Sequence, residues 1–301
     1  MNEIFDKLII QFFFTIFICA LFFVYKYVHA FFYRNEKNNI LKVHFPAENS
    51  SNTLHFFSRL VGVSLIFSTL SFDQTSGIFL SLFHFFVWGT LSYLIYIVSI
   101  YIIESIVLYN FEYLDEIHKR KNFSYAIISF TQAISLAFIV RAVVQESEGS
   151  LIILVMLWLF ALVLFGFSTK LYPLVSKMSF NKMLIRKNLA LAISYSGFIL
   201  GCAMIIVSAF DQEHFDIKNY GLQVILRILL SLIVYPFFRK GVLITFRLQT
   251  NDKEFLKSHS IQDLDIPIGY GVYEGGTFLI AALLTSVIVG RIQFGTIYPF
   301  F

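Results

Sequence analysis

Length, composition and charge already exclude most classes of protein. Of 301 residues, 57% are hydrophobic, 37 are phenylalanine and only 14% are charged, against about a quarter charged in soluble domains, so lipid must solvate most of the chain. The formal charge of +4 is modest and confined to short loops, which leaves no nucleic-acid partner to expect. Cys19 and Cys202 both lie inside apolar runs, where a thiol behaves as a small hydrophobe and implies neither a disulfide framework nor a metal site.

The chain opens with MNEIFDK, which carries no net positive charge. The apolar run from Leu8 to Val24 that follows outlasts a signal-peptide core, so it reads as a retained span. Crossing a hydrocarbon core of about 30 Å takes about 20 apolar residues in a helix. Eight runs are candidates, at roughly 8–33, 54–71, 77–109, 123–144, 150–176, 188–209, 220–247 and 267–291. The second is the shortest and begins with His55 and Arg59. Together they predict an all-α, polytopic membrane helical bundle, with residues 1–301 forming one membrane domain.

Basic loops stay in the cytoplasm. Sixteen lysines and arginines fall in or beside the loops after the odd-numbered spans: Arg34, Lys37, Lys42, Lys119, Arg120, Lys121, Lys170, Lys177, Lys182, Arg186, Lys187, Arg239, Lys240, Arg247, Lys253 and Lys257. The opposite side holds only Lys7, Lys218 and Arg291, and its connections FDQTSG, QESEGS and FDQEHFDIKNYG are acidic. The expected site is a cytoplasmic (inner) membrane with both termini on the non-cytoplasmic side. The basic loops are topology signals first and contacts for lipid or a partner second.

Each odd span passes through a basic loop into an even one, and two junctions align without gaps. KNFSYAIISFTQAISLAFIV from Lys121 lies over KNLALAISYSGFILGCAMII from Lys187. DIPIGYGVYEGGTFLIAALL from Asp265 fits more loosely, and NTLHFFSRLVGVSLIFS from Asn52 more loosely still. Asn122 and Asn188 stand where a helix needs an N-cap acceptor. The pattern predicts four parallel helical hairpins, roughly 8–71, 77–144, 150–209 and 220–291, unlike the inverted repeats of many secondary transporters. In that register Glu274 falls opposite Ser196 and Phe130.

The segment RKNLALAISYSGFILGCAMIIVSAF, Arg186 to Phe210, with WLFALVLFGFSTKLYPLVSK before it, resembles the domain of unknown function 350 family of bacterial membrane proteins. The likeness covers residues 154–210 best and 93–144 in part. It implies a multi-pass bacterial inner-membrane protein. Members are encoded beside membrane-remodelling or envelope-stress proteins and peptide-ligase-like enzymes, and the family has no established activity. It supplies no catalytic residues.

Catalytic motifs are absent: there is no HExxH, CxxC, phosphate-binding glycine loop or GxSxG. The seven histidines are scattered, none at ligand spacing with another His or a Cys. No cofactor and no enzyme activity are therefore expected. Intramembrane polar residues remain. Glu274 sits in the cytoplasmic half of the eighth span, and Arg227 lies about two turns inside the opposite end of the seventh; their depths differ, yet each marks a candidate polar site. Gly271 and Gly275 form a GxxxG pair which, with Gly276, provides a packing face for a neighbouring helix. Glu104 falls about 40 Å along the third span and should reach the cytoplasmic surface in a bland role. Arg141 reads as an interface anchor, and His84, Gln132 and Tyr273 as helix-to-helix hydrogen-bonding residues.

Two functions compete. The first is a non-enzymatic component or scaffold of an envelope or membrane-stress system, whose partners are the lipid bilayer, further copies of itself and a peripheral cytoplasmic membrane-stress protein. The second is a small ion or solute channel or transporter using Glu274 and Arg227.

Overall fold

The computed structural model describes residues 2–33, 47–68, 70, 77–147, 149–176, 178–212, 217–245, 266–292 and 294. The basic residues Arg34, Lys37, Lys42, Lys177, Arg247, Lys253 and Lys257 lie outside them. The described chain is helices joined by turns, with no strand. They are α1 Asn2–Phe32, α2 Ser50–Phe67, α3 Ile78–Val107, α4 Phe123–Glu146, α5 Leu151–Val175, the short α6 Phe180–Ile185, α7 Leu189–Phe210, α8 Ile217–Thr245 and α9 Ile268–Val289, plus a π-helical turn at Leu114–Lys119. In hydrocarbon every backbone N–H and C=O must be paired inside its own segment, which is why long apolar runs become helices here.

Seven of these helices are long and apolar enough to cross a membrane among the described residues, and α2 is not one of them. Eight spans are expected from the apolar runs. The difference lies in Ser50, Ser51, Asn52, His55, Ser58 and Arg59, which make the first half of α2 polar although its 18 residues are helical throughout. Four of those side chains, Ser51, His55, Ser58 and Arg59, are buried inside the protein. Tertiary packing surrounds its polar face, while Phe57 and Val61 are exposed on the other.

The second helices of the successive hairpins form an inner row in the order α2, α4, α7, α9, and the closest helix pairings in the molecule are α7 with α9, α2 with α4, and α4 with α7. Each starts from the side that carries the basic loops, so the row is parallel. Helices α1, α3, α5 and α8 lie outside it. Their outward residues are large and apolar: Phe12 and Phe23 of α1, Phe79 and Phe83 of α3, Phe167 of α5 and Phe237 of α8 are mostly exposed. In a bilayer these meet acyl chains, which are no less apolar than Leu, so the row must hold by close packing and hydrogen bonds instead of by water exclusion.

Candidate functional site

The basic side of the row is built from a recurring device. Asn122 caps α4 by accepting from the Tyr125 N–H at 3.3 Å, and Asn188 caps α7 by accepting from Ala190 and Leu191 at 2.8 and 3.3 Å. Asn49 does the same for α2, accepting from Asn52 at 3.1 Å. The register of α2 is therefore set by Asn49, three residues before the Asn52 that begins the sequence alignment. Each asparagine also donates its amide forward, to a carbonyl preceding the next inner helix. Asn49 donates to Ile117 at 2.9 Å, Asn122 to Leu184 at 2.9 Å and Asn188 to Ile266 at 3.2 Å.

The lysine before the cap reaches the other way. Lys121 Nζ donates to the Glu48 carbonyl at 3.0 Å, and Lys187 Nζ to the Arg120 carbonyl. Both lysines adopt left-handed backbone, with φ of +48° and +57°, a conformation that costs a side-chain-bearing residue about 1–2 kcal/mol. It lets each short helical turn, Leu114–Lys119 and α6, stop and the next helix begin one residue later. The Lys-Asn pair is thus a clasp between hairpins. Arg120 takes part too, donating to the Ile185 carbonyl and to Glu116 at 2.5 Å. The exposed Lys119 pairs with the half-exposed Asp115 at 2.5 Å, and this carboxylate holds its ammonium above the usual value. Arg186 is exposed.

Inside the clasps, each half of the row buries an acid. In the first half it is Glu104, 9% exposed near the end of α3. Its Oε1 accepts from Arg59 of α2 and Ser129 of α4, and its Oε2 from the Tyr33 hydroxyl just past α1. Arg59, 1% exposed, also donates to the His55 carbonyl at 2.6 Å, to Ser58 at 2.7 Å and to His55 Nε2 at 2.8 Å. Since the guanidinium donates to Nε2, the imidazole proton resides on Nδ1, a buried atom with no hydrogen-bond partner. Glu104 is therefore the opposite of a surface residue. Its distance along α3 puts it near the basic side, but α1, α2 and α4 close around it there.

In the second half the acid is Glu274, 3% exposed on α9. Its Oε2 accepts from Ser194 of α7 at 2.5 Å and from Ser176, just past α5, at 2.9 Å; Tyr172 donates to Ser194 at 3.0 Å. Counted from the caps, Ser129 follows Asn122 by seven residues and Glu274 follows Pro267 by seven. His55 and Ser194 each stand six past theirs. Glu274 thus falls opposite Ser129, and the expected match with Phe130 and Ser196 is one residue out of register.

Gly271 and Gly275 lie against α7. A Cβ on Gly271 would stand 2.2 Å from the Ala190 carbonyl oxygen, and one on Gly275 2.6 Å from that of Ile193. Gly197 of α7 answers them, 2.1 Å from the Gly275 oxygen by the same construction. Gly276 does not belong to this face: nothing lies within 4 Å of the Cβ it would carry, because one residue turns a helix by about 100°.

Arg227 is 1% exposed. Its Nε donates to Ile292 at 3.2 Å and its Nη1 to the carbonyls of Asp211 and Ser208 at 2.9 and 3.3 Å. It closes the far ends of α7 and α9, where helix carbonyls lack intrahelical donors. Glu274 and the Ile292 end of α9 are roughly 27 Å apart at the helical rise, so Glu274 and Arg227 do not form one site. Gln132 donates to the Tyr195 hydroxyl at 3.1 Å between α4 and α7. Arg141 and Tyr273 are half-buried, and His84 packs on Trp88 of its own helix at 5.8 Å.

Sequence reasoning passed over the Arg59 and Glu104 pair. A signal existed: His55 and Arg59 stand four apart on one helix face, and Glu104 is an acid of opposite sign at the same end of an apolar span. Among the described residues no group of three or more metal-ligating side chains converges.

No curated protein matches this chain, and no solved structure does. The family described as Domain of Unknown Function (DUF350) matches twice in tandem, over residues 3–144 and 147–289, so that one match holds α1 to α4 and the other α5 to α9. The two matches cover most of the chain, and the chain belongs to the DUF350 family.

Proposed function

We propose that this protein is a non-enzymatic scaffold of the bacterial inner membrane, holding a peripheral cytoplasmic protein of an envelope-stress system on its basic face. The observation that carries this reading is the clasp. Lys121, Asn122, Lys187 and Asn188 direct their polar atoms to backbone groups of neighbouring hairpins, which builds a stiff loop platform where a catalytic protein would aim such groups at a substrate. Beside it a cleft of about 170 Å³ opens between α3, α5, α6 and α7, with Tyr109, Lys170 and Asn181 among its walls. Lys182 and Arg186 are the exposed cations on the same connection, free of the clasp bonds that occupy Arg120 and Lys121.

Crosslinking in native membranes tests this. A peripheral protein recovered with the wild type should be lost with Lys182→Glu/Arg186→Glu, while the variant remains folded and inserted. Recovery unchanged by that pair overturns the reading.

The buried acids motivate a second reading, a proton or small-ion channel, because ionisable groups within a membrane are costly and mark ion pathways in many proteins. Glu104 has a small cavity nearby lined by His29, Tyr33 and Arg59. Flux into liposomes carrying the wild type, Glu104→Gln or Glu274→Gln decides: no flux above empty vesicles removes this reading.

A further inference from the structure

Where α5 and α8 flank α7 they leave a cleft of about 290 Å³. Leu164, Phe167, Leu171, Phe198, Ile205 and Leu232 give it apolar walls. All three helices are long and apolar enough to cross a bilayer, so the cleft opens to hydrocarbon. Along α5 its lining runs from Leu164 to Val175, roughly 16 Å by helical rise and about the depth of one leaflet.

Polar groups stand at and just beyond the end of the cleft toward the basic side. Tyr235 of α8 lines it, and its hydroxyl is buried with no hydrogen-bond partner. Arg239, one turn further along α8, has a buried Nε that is also without one. Its guanidinium lies 4.2 Å over the Phe278 ring, which packs at 5.3 Å on the cleft-lining Phe198. Lys240 follows and is exposed. The corresponding junction in the first half is narrower: Phe17 of α1 packs at 4.8 Å on Phe86 of α3 and at 6.0 Å on Phe67 of α2, and the cavity beside Arg59 holds only about 20 Å³.

We infer that the cleft is a binding site for one anionic phospholipid. An acyl chain occupies the apolar trough, an ester or phosphate oxygen accepts from the Tyr235 hydroxyl, and Arg239 with Lys240 faces the headgroup charge. A buried hydroxyl without an acceptor is unfavourable, and a lipid oxygen supplies one. Basic pockets between spanning helices on the cytoplasmic side are suited to anionic headgroups.

Native mass spectrometry of the full chain, exchanged into equal amounts of phosphatidylglycerol and phosphatidylcholine, tests this. The wild type should retain one lipid with phosphatidylglycerol favoured, and Arg239→Gln should lower that preference about fivefold, the equivalent of one basic residue near an anionic surface. Tyr235→Phe removes one oxygen that nothing in the protein binds, so it should fold normally and hold the lipid less well. Ser231→Phe, placed in the trough, should expel lipid of both classes. No retained lipid in the wild type, or retention and preference in both Tyr235→Phe and Arg239→Gln unchanged from the wild type, overturns the inference. So does a wild-type dimer that Ser231→Phe splits, since the cleft would then belong to a second copy of the chain.

Discussion

Among the described residues the two largest fully buried side chains are both arginines, one in each half, and they are neutralised in different ways. Arg59 meets a carboxylate, Glu104, brought from another helix. Arg227 bonds to main-chain carbonyls at the end of α7 and after α9, with the Asp211 carboxylate nearby. Arg59 stands ten residues past the Asn49 cap of α2, well inside the row and away from any helix end, so burial leaves it in need of a counter-ion. Arg227 lies where α7 and α9 end, and C-terminal carbonyls of partial negative charge supply its partners from the backbone. One residue type in one bilayer is accommodated by two devices because one guanidinium sits within the row and the other at its helix ends.

Breaking the first device should cost most. Glu104→Ala leaves a buried guanidinium without its acid and should destabilise by about 3–5 kcal/mol, measured by reversible unfolding in mixed micelles. The double variant Arg59→Met/Glu104→Met should recover most of that loss, because both desolvated charges go together. If the double variant is as unstable as the single one, the pair does not act as a unit.

The packing face comes next. Gly271→Ala forces a Cβ onto the Ala190 carbonyl and should cost about 1–3 kcal/mol through separation of α7 and α9, whereas Gly276→Ala should lie within about 0.5 kcal/mol of wild type. Arg227→Met should fall in a similar or smaller range, about 1–3 kcal/mol. The carbonyls it abandons are neutral, and its charged neighbour Asp211 is exposed, so no buried charge is left unpaired. An Arg227→Met loss equal to that of Glu104→Ala would erase the contrast between the two arginines.

Asn122→Ala removes a cap and should cost about 1 kcal/mol, with somewhat more if its forward bond to Leu184 is strong. The smallest effect is expected at Lys119. Its raised pKa gives stability at neutral pH that fades only as pH climbs through the alkaline raised value, and water screens the exposed pair. Lys119→Gln should leave the unfolding midpoint unchanged between about pH 6 and 8.

Much of this was legible along the chain, for reasons that are local. The Lys-Asn junctions at 121–122 and 187–188 announce themselves because a cap is a property of two or three consecutive residues. Gly271 and Gly275 were readable as a pair because a spacing of four places both on one helix face. Gly276 was misjudged for the same reason, since adjacency in sequence is not adjacency on a helix. Arg59 and Glu104 lie 45 residues apart; the sequence offers their opposite signs at one end of the spans, but only setting α2 and α3 side by side makes them partners.

By itself, then, the sequence determined the solvent, the helices and the repetition, because hydrophobicity, capping and spacing act within a single turn or a single span. Tertiary structure decided the rest: that the second helices form the row, that the polar face of α2 is covered by protein, and which polar groups the buried charges find. Those depend on how helices pack side by side within lipid, where small residues and hydrogen bonds choose the neighbours and hydrophobicity, shared by every helix, cannot.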